Sequence, residues 1–337
     1  SILAIPVCAQ DLNSYLEPVK YRNVGPFRGG RSTGSSGVKG DPLTYYMGTT
    51  GGGLWKTTDA GQYWRNVSDG YFKTGSVGTV SVSESHPNVV YVGMGEHAPR
   101  GVMTSYGDGV YKSPDGGKTW QHMGLELTRH ISRIIIHPDN PDIVWVAAQG
   151  ALHGPGRERG VYKSTDGGHT WKQTLFVNES TGCSDLSIDY HNPMVMYAAM
   201  WEHERKPWTV ISGGKGSGFY KSIDGGETWS PIDKGFPKEK RKTAIAVSRA
   251  NPERVYALLE SDSQKELGGL FTSSDGGASW KTVESIPGVA DSLVVHLEAD
   301  DADDPGMRST EDVYRDRAPE GADGGVADRV KSIGYGG

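Results

Sequence analysis

Lys112–Ser113–Pro114–Asp115–Gly116–Gly117–Lys118–Thr119–Trp120 has four near-copies in this 337-residue chain, at 56–64, 163–171, 221–229 and 272–280. All five share Ser/Thr-x-Asp-x-Gly-x-x-Trp, with their aspartates at Asp59, Asp115, Asp166, Asp224 and Asp275. The aspartates are therefore 56, 51, 58 and 51 residues apart. A tandem period of this size means an array of supersecondary units that bury their faces against one another. Five copies cannot all be one active site. The carboxylates are expected to accept N–H bonds from their own turns, with Gly supplying φ > 0 and Trp packing back between units.

One unit shows what is repeated. Residues 79–83 (Thr-Val-Ser-Val-Ser) alternate, and residues 85–88 (Ser-His-Pro-Asn) make a turn. Residues 89–93 are apolar, a loop spans 96–108, and Val110–Tyr111 leads through the motif to Trp120. Four short strands with turn chemistry between them make one blade of a β-propeller. Turns of the same kind recur at 40–42, 139–141, 191–193 and 250–252, each with Asp or Asn before Pro. No useful stretch has helical periodicity. The expected fold is all-β, with five recognisable blades and six or seven in the full protein. A sixth blade could close by pairing 15–30 with a strand from 288–337.

The motif resembles the Asp-box, or BNR, repeat of sialidases, xyloglucanase-type glycoside hydrolases, sortilin-type receptors and photosystem assembly factors. The resemblance covers roughly residues 20–285. It extends to the secreted bacterial BNR-repeat glycosyl hydrolase and sortilin-like (VPS10-type) family through residues 23–31 (Asn-Val-Gly-Pro-Phe-Arg-Gly-Gly-Arg), 93–96, 128–133 and 199–202. It implies a glycan bound, and if the protein is an enzyme hydrolysed, at the mouth of the central channel. The alternative it implies is a non-enzymatic propeller that holds a peptide or protein. Sialidases open with Phe/Tyr-Arg-Ile-Pro, of which Phe27–Arg28–Gly29–Gly30 keeps two positions. Xyloglucanase-type enzymes set two catalytic aspartates across a cleft between two propellers, and this repeat array supplies one.

Composition narrows the classes. Residues 1–9 read as the end of a secretory signal with small residues at Val7–Cys8–Ala9, which places the protein outside the cell or in the periplasm. With that segment removed Cys183 is the one cysteine, so blade packing and not a disulfide must hold the fold. No run of 18 apolar residues exists to span a membrane. The net charge of −6 sits in residues 288–337, which hold 12 acidic and 5 basic residues. The remainder, with 29 acidic and 30 basic, has no basic stripe for nucleic acid. The expected organisation is a signal remnant at 1–9, a propeller at 10–287 and an acidic, poorly structured tail or improvised closing blade at 288–337. A monomer without cofactor or metal is expected.

Chemistry is sought where first strands begin and second strands end, because loops there surround a propeller channel. Arg28, Arg31, Arg129 and Arg133 could clamp carboxylate or paired hydroxyl groups. Glu96, Asp185 and Glu202 are the candidates for a catalytic acid/base pair, since glycoside hydrolysis needs two carboxyls flanking the scissile bond. Trp201 and Trp208 could stack against a sugar ring. The loops at 96–108, 150–159 and 201–216 carry most of these groups. The histidines lack the spacing of a zinc site, and no phosphate loop or nucleophile elbow is present.

Overall fold

The computed structural model describes residues 31–99, 104–261 and 268–283. The signal remnant, Arg28, the strands proposed to close a sixth blade and the acidic tail lie outside them. Five antiparallel sheets follow one another along the chain. The first contains β1 (Ser32–Val38), β2 (Asp41–Thr49), β3 (Leu54–Thr57) and β4 (Arg65–Asn66). The second contains β5 (Val77–Val82), β6 (Val90–Met94), β7 (Val110–Ser113) and β8 (Gln121–His122). The third contains β9 (Ile131–Ile136), β10 (Val144–Ala148), β11 (Gly160–Ser164) and β12 (Lys172–Leu175). The fourth contains β13 (Thr181–Ile188), β14 (Met196–Lys206), β15 (Thr209–Ser212), β16 (Gly218–Ser222) and β17 (Ser230–Pro231). The fifth contains β18 (Thr243–Val247), β19 (Val255–Leu259), β20 (Gly269–Ser273) and β21 (Lys281–Thr282). Among the described residues the single helical element is a 3-10 turn at Glu126–Thr128. The chain is a β-propeller.

First strands of successive blades touch in the order β1, β5, β9, β13, β18. Side-chain hydroxyls tie them together. Thr33 Oγ1 donates to Val77 O, Ser81 Oγ to Ile134 O at 2.6 Å, and Ser132 Oγ to Cys183 O at 2.8 Å. Ser184 Oγ donates to Thr243 O at 2.7 Å. Close approach needs missing side chains too. A Cβ on Gly78 would lie 2.2 Å from Ile131 O, and one on Gly182 would lie 2.0 Å from Gln149 O.

The core lies between blades. Along β10, Val144 and Val146 pack toward the second blade while Trp145 and Ala147 pack toward the fourth. A second strand covered on both faces can therefore be apolar throughout, as β6 and β10 are. Cys183 is fully buried in the same layer, with its thiol donating to Asp185 O at 3.3 Å.

Each Asp box closes locally. Asp115 Oδ1 accepts from Ser113 Oγ at 2.9 Å and Thr119 N at 2.9 Å, and its Oδ2 accepts from Thr119 Oγ1 at 2.7 Å. Burial raises its pKa, but these bonds together outweigh it and hold the value down to about 2. Asp59, Asp166, Asp224 and Asp275 make the corresponding bonds to Thr57, Ser164, Ser222 and Ser273. The preceding blade then grips the closed turn. Tyr46 OH donates to Gly116 O at 2.9 Å, Tyr91 OH to Gly167 O at 3.1 Å, Trp145 Nε1 to Gly225 O at 3.0 Å, and Tyr197 OH to Gly276 O at 3.0 Å. The box tryptophans return the grip: Trp120 Nε1 donates to Val67 O at 2.8 Å and Trp171 Nε1 to Met123 O at 2.7 Å.

The fourth blade departs from the sequence reading. Residues 201–216 are not one loop: β14 runs on to Lys206 and turns back as β15. Alternation explains it: Trp201, His203 and Arg205 are buried on one face while their neighbours are half-open. Tyr91→Phe removes one hydroxyl from a fully buried clasp that also reaches Pro141 O at 3.1 Å. Urea unfolding should show a loss of about 1–2 kcal/mol, with the exposed Tyr106→Phe unchanged.

Candidate functional site

β1, β5, β9, β13 and β18 all begin at the end where β2, β6, β10 and β19 finish, as their antiparallel registers require. The long loops are at this end, and the Asp boxes are at the other. Arg31 precedes β1 and reaches across to the second blade. Its Nη1 lies 2.7 Å from Glu96 Oε1, and Nη2 donates to Ala98 O at 3.4 Å. The Glu96 side chain is wholly buried and also accepts from Ser105 N at 3.4 Å, whereas Arg31 keeps 39% of its side-chain surface open.

Arg133 repeats this arrangement two blades further on. Its Nε lies 2.9 Å from Asp185 Oδ1. The same carboxylate accepts from Leu186 N at 3.0 Å and Ile245 N at 3.2 Å, so Asp185 joins the third, fourth and fifth blades. Arg133 remains 51% open. Glu202 accepts from Gly216 N at 2.8 Å, and a Cβ on Gly214 would lie 2.4 Å from its Cδ, so its carboxylate is packed into the loop before β16.

The aromatic candidates separate. Trp201 is buried, stacked on His203 with centroids 4.3 Å apart, with Lys242 Nζ over the ring at 5.5 Å. Its Nε1 donates to Ser212 Oγ at 3.0 Å. Trp208 sits at the tip of the β14–β15 hairpin and is 77% exposed. The guanidinium of Arg129 lies 5.0 Å from the ring of Tyr106, which is 60% exposed. The structure thus brings Arg31 to Glu96 and Arg133 to Asp185, and it sets Arg129 and Trp208 on the rim.

Several groups at this end were not singled out in the sequence. Lys242 precedes β18 as Arg31 precedes β1, so aligning first strands one residue earlier would have found it. It is open to solvent yet ringed by protein, as a channel-lining group is, and this enclosure, with Arg31 nearby, lowers its pKa despite Glu260. Arg159 is fully buried, donating to Gln149 O at 3.1 Å and Gly154 O at 2.8 Å, and so folds the loop before β11 around itself. Burial takes its pKa down to about 10.

Three histidines pack beneath this mouth. Burial pushes His97 and His130 down to about 4, with Lys242 and Arg133 adding to the shift at His97. Burial and Arg159 push His203 down to about 3. Among the described residues no group of three or more His, Cys, Asp or Glu is placed to hold a metal. Glycoside hydrolysis requires one protonated and one ionised carboxyl facing the substrate. Here Glu96 and Asp185 each face an arginine and backbone N–H groups, which is the geometry of groups that fix other groups in place.

The chain is similar to two sets of propeller proteins. Residues 108–239 match the family model described as Sortilin-Vps10, sortilin, neurotensin receptor 3. An oligoxyloglucan-reducing end-specific xyloglucanase of Emericella nidulans is 24% identical over 246 residues, covering 72% of this chain and 26% of that protein. Xyloglucanase Xgh74A of Acetivibrio thermocellus is 23% identical over 286 residues, covering 74% and 30%. An ancestral GH74 enzyme superposes with a TM-score of 0.57 at 18% identity, covering 75% of this chain and 33% of that one. The GH74 enzyme of Niastella koreensis gives 0.52 at 21% identity, covering 74% and 38%. The chain spans about a quarter to a third of the length of these curated relatives. The resemblance to the glycosyl hydrolase and sortilin-like propellers therefore holds at the level of the fold.

The depressed histidines make a pH prediction. Each is neutral in the folded protein and would titrate near 6.5 when unfolded, so the unfolded chain takes up protons first as pH falls. Each histidine then removes about 1.4 kcal/mol of stability per pH unit from about 6.5 down to its folded value. The Asp-box carboxylates act only below about 4, because their unfolded value lies there. Melting temperature should fall steeply between pH 6.5 and 4, and His203→Gln should flatten that slope.

Proposed function

We propose that this chain is an exported, glycan-binding propeller that holds its ligand at the long-loop end of the channel without cleaving it. One contrast carries the reading. Glu96 and Asp185 are committed to Arg31 and Arg133, while Trp208 and Tyr106 present open aromatic faces at the same end. Open rings suit the apolar faces of sugars, and the half-open Arg31 and Arg133 suit paired hydroxyl oxygens. Xyloglucan oligosaccharides are the first ligands to test, since the curated relatives are named for acting on them.

A peptide-binding reading rests on a different observation. β15 pairs only with β14 among the described strands and has exposed or half-exposed residues, so its outer edge offers backbone groups for an added strand. Calorimetry with xyloglucan oligosaccharides tests both readings. Wild type should bind, Trp208→Ala and Tyr106→Ala should each weaken binding about tenfold, which corresponds to roughly 1.4 kcal/mol, and no reducing sugar should be released. Turnover abolished by Glu96→Gln or Asp185→Asn would establish a hydrolase instead. Binding of extended peptides without glycan binding would establish the second reading.

A further inference from the structure

The long-loop end of the channel holds charged donors that the fold leaves unclaimed. Its two central carboxylates are spent on the protein itself. Glu96 takes Arg31 Nη1 on one oxygen and Ser105 N on the other. Asp185 takes Arg133 Nε and Leu186 N on Oδ1, and Ile245 N on Oδ2. Arg133 is held through Nε alone. Among the described residues its Nη1 and Nη2 have no partner, and it is the one exposed residue of β9. Lys242 is less engaged still. Its ammonium lies 5.5 Å from the Trp201 ring centroid, and among the described residues it makes no ion pair or side-chain hydrogen bond. Glu260 N donates to Lys242 O at 3.0 Å, and the Glu260 carboxylate attracts the ammonium without reaching ion-pair distance.

Arg31, Arg133 and Lys242 come from the first, third and fifth blades, yet they act on one spot. His97, on the loop after β6, is held neutral first by burial and then by these same three cations. The carboxylates of Glu96 and Asp185 are far less exposed than the arginines they hold, so an incoming oxyanion meets the cations first. The other end of the channel is arranged differently. There Lys39 and Arg249 both close on Glu84, at 2.8 and 2.5 Å, so each cation already has its carboxylate. At the long-loop end the Nη pair of Arg133 and the ammonium of Lys242 suit the two oxygens of one carboxylate. Bonds of that kind are roughly twice as strong as those to a neutral hydroxyl.

We propose that the glycan taken at this mouth is acidic, a sugar chain bearing uronic carboxylates, one of which is received by Arg133 and Lys242 with Arg31 at its flank. The inference rests on the glycan reading and adds to it the charge of the ligand. Arg31 and Arg133 are oriented by their buried acids, whereas Lys242 is the member of the set with no competing partner. Its removal therefore disturbs the folded protein least and the choice of ligand most.

Calorimetry on the full chain with trigalacturonate and with its methyl ester, which keeps the sugars and removes the charges, tests this. The acid should bind about tenfold more tightly than the ester, the equivalent of roughly one charged hydrogen bond. Lys242→Met should abolish that preference and Arg133→Gln should reduce it, with melting curves establishing that both are folded. Lys39→Met, at the opposite mouth, should retain it. Free acetate at the same concentration should not compete, because it lacks the sugar chain. Trigalacturonate bound no more tightly than its ester, a preference kept in folded Lys242→Met, or competition by acetate overturns the proposal. Xyloglucan oligosaccharides measured alongside separate the two failures: if they bind, the glycan reading outlives the acidic one, and if no glycan binds, both are overturned.

Discussion

Everything in this molecule depends on the grip of one blade on the turn of the next. A four-stranded blade whose last strand is two residues long, as in β4 or β8, cannot bury its own faces. It must be pinned to a neighbour at a fixed rotation. Tyr46, Tyr91, Trp145 and Tyr197 do this from equivalent positions on second strands, each donating to a glycine carbonyl of the following box. The carbonyl is available because the Asp and Ser/Thr side chains have already satisfied the turn's own N–H groups. A buried polar group left unmatched costs about 1–3 kcal/mol, so the local closure and the clasp between blades require each other.

The two ends of the channel follow from this division of labour. At the box end the backbone is tied down by repeated bonds, and variation is confined to side chains such as Lys39, Glu84 and Arg249. At the other end the loops are free of the repeat and differ in length and content. Arg31, Arg133 and Lys242 enter the channel there from three blades. Ion pairs with Glu96 and Asp185 hold two of them without hiding them, because each arginine keeps much of its surface in solvent. That combination orients cations for recognition more readily than it frees carboxylates for proton transfer.

Most of the architecture was legible because it is periodic. The boxes fixed the blade count within the described residues, and the Asn/Asp-Pro turns fixed where first strands end. The pairing of Arg31 with Glu96 across 65 residues was not legible, since no spacing rule links side chains on different blades. Nor was the ring of hydroxyl bonds from Thr33, Ser81, Ser132 and Ser184, although each sits on an inner strand where alternation alone would have allowed any small residue. The β14–β15 hairpin resembles a loop in sequence because its buried face is built from Trp201, His203 and Arg205, of which two are polar. The burial of Trp201 had the same origin. An aromatic residue at the end of a second strand can face outward to ligand or inward to a stacked histidine, and only packing decides between them.

The clasp also has a direction. Each of the four boxes after the first is held by the blade before it, and Trp120 and Trp171 reach back to that same blade, at Val67 and Met123. The smallest piece that keeps its own bonds is therefore not one sheet. It runs from a second-strand tyrosine through the next box, straddling two sheets. For a chain that grows or shrinks by copying segments, this staggered piece is the exchangeable module, and cuts made neatly between sheets would sever a clasp at every joint.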